Sequence, residues 1–315
     1  MMRDGLDHLS PDAGLAATLP DEARIYLIQA TECWIGHSRA EAVLARLHQL
    51  FVYGPGRIRP PNALLVAPSN NGKSTLIERF RRDHDAPPGA GDDAEAEVIP
   101  VVVVQMPTEP TVSRFYATLL SELGAPGRRV GPGVRKHDLE RLALDVLRGV
   151  QARVLVIDEL HNLLGGRQNA RHEFLNLLRY LGNALRIPII AAGTHDAHRA
   201  IRTDPQLENR FEPIALPLWG ADVETATLIA SFAASLPLRR SSPELCRAGV
   251  LRAIVTRSGG SIGEILALMR AAAVTAIEGG EEALTPRVLE MAAYLGPEQR
   301  HARLERDLPR STAAW

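Results

Sequence analysis

The residues most able to do chemistry lie in a short loop that ends in Lys73 and Ser74. An apolar run at 63–66 predicts a strand before the loop, and a helical pattern begins at Ser74. In this context backbone N–H groups and the helix N-terminus converge on one anion. Lys73 would reach the β- and γ-phosphates of a nucleoside triphosphate, and the Ser74 hydroxyl would bind Mg²⁺. The residues predicted to line the nucleotide are Ala67, Pro68, Ser69, Asn70, Asn71, Gly72, Lys73, Ser74 and Thr75.

The first position of this loop departs from the usual pattern. Loops of the form G-x-x-x-x-G-K-[ST] begin with glycine, and Ala67 stands there in this chain. A methyl group is a small addition, so we expect the loop to work. The alternative is a chance Gly-Lys-Ser sequence in an ordinary loop, but the strand before it and the helix after it favour a phosphate site.

A pair of acids supplies the second half of such a site. Val154 to Ile157 are apolar, and Asp158 and Glu159 follow them directly. This pattern predicts a buried parallel strand with acids at its carboxyl end. Asp158 would hold the Mg²⁺ shell, and Glu159 would orient or deprotonate the attacking water. Two acids can also end an ordinary solvated strand, but the loop upstream favours ATP chemistry.

Composition limits the classes of protein to which the chain can belong. Its 315 residues, with a hydrophobic fraction of 45% and a charged fraction of 23%, fit one α/β core and a smaller domain. The net charge of −1 gives no bulk attraction to polyanions, so any nucleic-acid contact must come from a local basic patch.

The two cysteines indicate the redox state of the thiols, and the apolar runs indicate where in the cell the protein is found. Cys33 and Cys246 are far apart in sequence, which excludes a cysteine metal cluster and predicts no disulfide framework. We expect both to be buried, reduced thiols. The absence of an apolar signal region or a bilayer-length run predicts a cytoplasmic protein without membrane contact.

Alternating apolar runs and helical patterns predict the elements that position these residues. Two helices are predicted between residues 21 and 53, before the loop. Apolar runs then predict strands at 62–67, 98–105, 153–158, 187–193 and 211–218. Strands that alternate with helices form a parallel sheet with helices on both faces, so the predicted fold class is α/β.

The pattern changes after Trp219, where the strands stop. Helical segments at about 221–236, 243–258, 261–278 and 285–295 predict a small all-α domain. The predicted parts are a flexible arm at 1–20, a nucleotide-binding core with N-terminal helices at 21–219, a helical lid at 220–296 and a tail at 297–315. A P-loop core with a five-stranded parallel sheet and a helical lid is the plan of AAA+ ATPases.

Several short sequence motifs, in order along the chain, give a more specific resemblance. They are Trp34-Ile-Gly-His-Ser-Arg-Ala40, Asn70-Asn-Gly-Lys-Ser74, Ile157-Asp-Glu-Leu-His-Asn-Leu-Leu164 and Gln206-Leu-Glu-Asn-Arg-Phe-Glu212. Shorter matches at 174–183 and 236–239 accompany them. From about Arg24 to Arg300, their order and spacing closely resemble TniB, a family of AAA+ ATP-binding transposition proteins related to TnsC and more distantly to MuB and IstB.

The resemblance implies an ATP-dependent regulator rather than the enzyme that transfers DNA strands. Such proteins bind ATP and Mg²⁺ and assemble on duplex DNA as ring or filament homo-oligomers, with little dependence on sequence. They mark the target site and recruit or stimulate the DDE transposase. The implied enzymatic activity is therefore ATP hydrolysis, and we assign no dispersed Asp-Asp-Glu set to strand transfer.

The AAA+ plan assigns further roles in the ATP site. Thr194 ends the fourth predicted strand and would hydrogen-bond the γ-phosphate or the water; the alternative is a strand-end cap. Arg210, before the fifth strand, would face the γ-phosphate of a neighbouring subunit, with Arg202 as a second candidate. Either arginine can instead end a solvated helix. His161 would belong to the network around Glu159 or be a surface histidine.

The predicted lid carries a turn that resembles sensor 2. At residues 258–265, Gly263 occupies the place where AAA+ proteins often have arginine. The absence of that arginine favours a slow ATPase that acts as a timer. Trp34, Ile35 and Ile262 would wall the adenine, because purine pockets are mostly apolar. An aromatic residue such as Trp34 is also a common core residue.

The candidates for DNA contact are basic and hydroxyl side chains after the second strand. Proteins that follow the DNA backbone direct such donors at phosphates without reading bases. A glycine- and proline-rich loop carries most of them, although a charged loop is usually solvated surface. The predicted DNA-binding residues are Thr108, Thr111, Arg128, Arg129, Arg135 and Lys136.

Two other functions account for parts of the pattern. Without a sensor-2 arginine, the chain could be a nucleotide-gated scaffold that recruits proteins with little hydrolysis. The Asp-Glu-Leu-His sequence at 158–161 also resembles superfamily 2 helicases, but a second RecA-like core cannot fit after Trp219.

Overall fold

The computed structural model describes residues 6–31, 34–86, 97–125 and 134–307. The chain divides into two units, a core unit of residues 39–217 and a helical unit formed by residues 1–38 and 218–315. The helices, in chain order, are α1 (Pro11–Ala16), α2 (Asp21–Ala30), α3 (Ser38–Tyr53), α4 (Lys73–Asp83), α5 (Val112–Glu122), α6 (Lys136–Gly149), α7 (Gln168–Leu185), α8 (His195–Arg202), α9 (Pro205–Glu208), α10 (Val223–Ser235), α11 (Ala248–Ser258), α12 (Ile262–Glu278), α13 (Pro286–Met291) and α14 (Pro297–Asp307).

A parallel sheet of five strands forms the centre of the core unit. The strands are β1 (Asn62–Val66), β2 (Val101–Gln105), β3 (Val154–Asp158), β4 (Ile189–Gly193) and β5 (Phe211–Ala215). They pair in parallel in the order β2-β3-β4-β1-β5. Each strand lies inside its predicted run, and the predicted five-stranded parallel sheet is confirmed.

Apolar side chains at helical spacing attach the helices to this sheet. On α5, Val112, Phe115, Tyr116 and Leu119 are buried, and this spacing places them on one face. The Phe115 ring meets the Phe174 ring of α7 edge to face, with centroids 5.1 Å apart. Both rings belong to the hydrophobic core that also contains residues of β2, β3 and β4.

The helical unit has a hydrophobic core of its own. Leu228 and Phe232 of α10 and Leu268 and Met269 of α12 are buried in it. Ile28 of α2 lies in the same core, although it comes from the other end of the chain. The predicted helices after the core are therefore confirmed, and the unit that they form also includes an N-terminal segment.

The N-terminal residues differ from the predicted flexible arm and from the predicted assignment of α2 to the core. Ser10 donates its backbone N–H to Ala234 O at 2.8 Å, and Ala13 is buried. Arg24 of α2 is fully buried, and its guanidinium donates to both carboxylate oxygens of Glu282 at 2.6 and 2.7 Å. Because a buried charge must keep its partner, these contacts attach α1 and α2 to the helical unit.

Three smaller features complete the description. The predicted tail begins with α14, where Arg300 pairs with Glu264 at 2.5 Å. Cys246 is an exposed free thiol, contrary to our expectation, and Cys33 lies outside the described residues. Among the described helices, no single one is long and apolar enough to cross a membrane, while the bent pair α11 and α12 passes that test together by length and composition only.

Candidate nucleotide site

The predicted phosphate-binding loop connects the carboxyl end of β1 to α4. Asn70 (φ 58°) and Gly72 (φ 82°) adopt the left-handed conformation, which glycine takes freely and asparagine tolerates. Helix α4 begins at Lys73, directly after this turn. The N–H groups of its first turn have no acceptor within the helix, so they are available to an anion at the loop.

Ala67 fits its position without the freedom of glycine. Its side chain is 1% exposed, and its N–H donates to Gly193 O at 3.1 Å, which ties the loop to β4. The positive φ angles of the loop occur at Asn70 and Gly72, not at residue 67. An alanine therefore introduces no backbone strain here.

The loop holds the Lys73 ammonium inside itself. The Lys73 side chain donates from Nζ to Ala67 O at 3.1 Å and to Pro68 O at 2.9 Å. Burial lowers the pKa of this ammonium, and the charges of Glu159 and then Asp158 oppose that shift. A phosphate oxygen would be a stronger acceptor for the ammonium than these neutral carbonyls. The contacts therefore fit a cation that meets phosphate at the loop.

A hydroxyl and a carboxylate meet beside the loop, as the Mg²⁺ prediction requires. Ser74 Oγ donates to Asp158 Oδ2 at 2.9 Å. The other oxygen, Asp158 Oδ1, accepts the Glu159 N–H at 2.7 Å, which fixes the carboxylate. Oxygen atoms of this kind are the ligands that Mg²⁺ prefers. The two side chains thus fit a Mg²⁺ site.

The second acid lies beside a histidine. Glu159 follows β3 with a left-handed backbone (φ 56°) and opens a 3₁₀ helix at Leu160–Gly165. Its Oε2 lies 3.0 Å from His161 Nε2, and both side chains are 29% exposed. A carboxylate oxygen at this distance is best met by a proton on Nε2, because an ionised carboxylate only accepts hydrogen bonds. Of the two interpretations of His161, the network around Glu159 is the one that the geometry supports.

The other residues predicted for the ATP site lie at different ends of the sheet. Thr194 follows β4, which lies between β1 and β3 as the AAA+ plan requires. Thr194 is the N-cap residue of α8, but its side chain makes no capping hydrogen bond to the described residues of that helix. At the opposite end of the sheet, Arg210 precedes β5 and donates to the neutral amide oxygen of Asn183 at 3.3 Å. Arg202 instead pairs with the Glu208 carboxylate at 2.9 Å.

The residues predicted for adenine contact belong to the helical unit. Ile35 and Ile262 are partly buried against its hydrophobic core, and Trp34 is half-buried. Gly263 lies in the first turn of α12, which is capped by the Ser261 hydroxyl. The adenine assignment stays a prediction.

Of the six residues predicted to contact DNA, two lie outside the described residues and the other four are exposed. Arg128 and Arg129 lie outside the described residues. Thr108 follows β2 and Arg135 precedes α6, and both are exposed. Their contact with DNA stays a prediction.

The remaining two already have partners within the chain. Thr111 caps α5, since its hydroxyl oxygen accepts the Arg114 N–H at 3.3 Å. The hydroxyl proton is not used in this contact. Lys136 pairs with Glu173 of α7 and would have to leave this carboxylate to meet a phosphate.

The described fold is similar to that of known AAA+ proteins. The ORC2 protein of Aeropyrum pernix matches with a TM-score of 0.59 and 17% identity, covering 91% of this chain and 74% of that chain. Cdc6p from Pyrobaculum aerophilum matches with a TM-score of 0.57 and 15% identity, covering 92% and 75%. Drosophila ORC bound to DNA matches with a TM-score of 0.55 and 13% identity, covering 96% and 70%.

These identities are low and show the fold alone. No curated protein matches the chain in sequence. The family model described as "Bacterial TniB protein" matches residues 24–221, a range that includes the phosphate-binding loop, the two acids and Arg210. With the AAA+ P-loop ATPase fold already established, this chain therefore belongs to the TniB family.

Proposed function

We propose that this chain is an ATP-dependent regulator of DNA transposition. In this proposal it assembles on duplex DNA as a homo-oligomer, marks the target site and recruits or stimulates a DDE transposase. The observation that carries the ATP chemistry is the contact of Ser74 Oγ with Asp158 Oδ2 at 2.9 Å, beside the loop that holds Lys73. Membership of the TniB family supports the link to transposition.

Each polar residue of the site has a task in this proposal. Ser74 and Asp158 would hold Mg²⁺, which neutralises charge on phosphate oxygens when it is bound. Lys73 binds the β- and γ-phosphates. Glu159 orients the attacking water or accepts its proton. Thr194 hydrogen-bonds the γ-phosphate or that water.

Steady-state ATP hydrolysis, measured with and without duplex DNA, tests the proposal. Stimulation by DNA supports a switch that couples turnover to assembly. Gly263 favours the second candidate, a nucleotide-gated scaffold, because it removes the arginine with which many AAA+ lids contact phosphate. ATP binding without turnover supports that scaffold. Electron microscopy with DNA and a non-hydrolysable ATP analogue would distinguish a ring from a filament.

DNA binding is expected to depend on ATP and salt but scarcely on sequence. The net charge is −1, so the exposed donors of one subunit must be multiplied by assembly to bind tightly. We expect affinity to be about 10²-fold higher with a non-hydrolysable ATP analogue than with ADP. Fluorescence anisotropy on two unrelated duplexes, at about 50 mM and about 200 mM salt, measures these effects. Equal affinity with ATP, ADP and no nucleotide would contradict assembly-driven binding.

Arg210→Ala is expected to bind ATP almost normally and to lose hydrolysis by about 10³-fold, because the arginine would act on a neighbouring subunit's phosphate. The neutral Asn183 amide restrains Arg210 less than a carboxylate would. Arg202→Ala is the matched control, since Arg202 is paired with Glu208. We expect this control to hydrolyse ATP at nearly the wild-type rate.

Mixing two inactive variants makes the test in trans sharper. An oligomer of Arg210→Ala and Lys73→Ala subunits has some junctions with an intact loop on one side and an intact arginine on the other. Partial recovery of ATP hydrolysis in the mixture supports a shared site. Co-assembly without recovery, shown by cross-linking of differently tagged subunits, would return Arg210 to a structural role.

A further inference from the structure

His161 has a buried edge that the ATP chemistry described so far does not use. Its Nε2 lies 3.0 Å from Glu159 Oε2, whereas its Nδ1 is buried and has no hydrogen-bond partner among the described residues. Protonation of Nδ1 would leave a buried donor without an acceptor, which is unfavourable. The surroundings therefore favour the tautomer that carries its proton on Nε2.

The ring lies against the end of β4. A Cβ atom added at Gly193 would lie 3.5 Å from His161 Nδ1, 3.3 Å from His161 N and 2.7 Å from the Ala197 Cβ. Only a residue without a side chain leaves this space. The next residue along the chain is Thr194, the candidate for contact with the γ-phosphate or the water. His161 thus connects the water-activating acid to the strand end that carries this threonine.

The Glu159 carboxylate lies near the phosphate-binding loop as well as near His161. Its charge opposes the fall in the Lys73 pKa more strongly than that of Asp158 does, so its carboxylate lies within electrostatic reach of the ammonium. Its left-handed backbone (φ 56°) is costly for a residue with a side chain and must be fixed by its surroundings. A hydrogen bond from His161 Nε2, 3.0 Å from Glu159 Oε2, would limit the remaining side-chain freedom.

We propose that His161 is a positioning residue. Its Nε2–H holds the Glu159 carboxylate toward the phosphate-binding loop, while its ring packs against the end of β4. This inference rests on the proposed ATPase activity. A residue with this role affects the rate of the chemical step and leaves nucleotide binding unchanged. Loss of the bond should therefore lower kcat without changing KM.

The first test compares ring and amide replacements. His161→Phe keeps a ring without a donor, and His161→Asn keeps a polar group that is too short to place a donor at the Nε2 position. We expect both to lower kcat by about 10- to 100-fold, with KM and ATP affinity within about twofold of wild type. His161→Gln can place an amide N–H near the Nε2 position and should recover most of the rate. His198→Phe, a half-buried histidine on α8, is the control and should retain wild-type kcat.

A second test does not need turnover. Nitrogen-15 NMR of the imidazole rings, on protein without nucleotide or Mg²⁺, should show the Nε2–H form for His161. Its signal should shift in Glu159→Gln and stay unchanged in Glu208→Gln. In the Glu159→Gln background, His161→Phe should cause no further loss of kcat, because the two residues act through one bond.

The outcomes separate this inference from the proposed function. If the wild-type protein fails to hydrolyse ATP, the ATPase proposal fails and the inference fails with it. If the wild-type protein hydrolyses ATP and folded His161→Phe and His161→Asn keep its kcat, the positioning role alone is overturned. An Nδ1–H form of His161, or a signal that ignores Glu159→Gln, also overturns it.

Discussion

Lys73→Ala is expected to raise the dissociation constant for ATP by about 10²-fold or more, with loss of hydrolysis and of ATP-dependent assembly on DNA. The Nζ atom is the charge that the loop encloses, and it donates to Ala67 O and Pro68 O. Without the Lys73 ammonium, the ATP phosphates lose charge-assisted hydrogen bonds from the loop. Isothermal titration calorimetry measures the change directly.

Two further variants separate charge from packing. Lys73→Met keeps most of the buried side-chain volume and removes the charge, so it should bind ATP as poorly as Lys73→Ala. Arg82→Ala removes a cation from the same helix, where it pairs with Glu78, and should bind ATP normally. Wild-type affinity in Lys73→Ala would remove the loop from the proposed site.

Glu159→Gln is expected to separate binding from turnover. The amide has nearly the same shape and keeps an oxygen that can accept the His161 N–H, but it cannot take a proton from water. ATP should therefore bind with near wild-type affinity while hydrolysis falls by about 10²-fold or more. Complexes on DNA should persist longer, because the ATP-bound state no longer decays. Phosphate release and the lifetime of labelled DNA complexes report the two effects.

Asp158→Asn is the matched comparison, since Asp158 is the adjacent acid and contacts Ser74 instead of His161. We expect it to weaken the dependence of nucleotide binding on Mg²⁺, an effect that Glu159→Gln should lack. Unchanged turnover in Glu159→Gln would place the general base elsewhere in the chain.

Local pattern was sufficient to predict most elements of the fold. The runs at 153–158 and 187–193 contain strands that are buried throughout, and such strands are mostly apolar, with Asp158 at the end of β3 as an exception. The strand order β2-β3-β4-β1-β5 could not be predicted in this way, because apolar periodicity contains no information on which strands pair. The AAA+ plan supplied the position of Thr194 between the loop and the acids.

Contacts between distant residues could not be predicted in this way. Residues 1–20 are polar and contain proline and glycine, and nothing near them in sequence shows that Ser10 donates to Ala234. Asn183 was recognised only as part of a sequence word, although its amide accepts from Arg210. Asn162 also belongs to one of these matches, which gives no hint of its contact: its amide donates to Met106 O at 2.9 Å and holds the 3₁₀ helix to the end of β2. Its place directly after His161 was the available signal.

The origin of the helical unit from both ends of the chain has a consequence for its synthesis. Arg24 and Glu282 are 258 residues apart, so at about 5–20 residues per second the glutamate leaves the ribosome about 13–52 s after the arginine. During that interval the Arg24 guanidinium lacks its buried partner Glu282 and has the exposed Asp21 carboxylate as its nearby counter-charge. The apolar face of α2 with Ile28 has no core to join. We expect the nascent chain to expose this helix to chaperones and proteases until the last helices emerge. We expect a truncated translation product that ends before Glu282 to keep this helix exposed and to be degraded faster than the full chain.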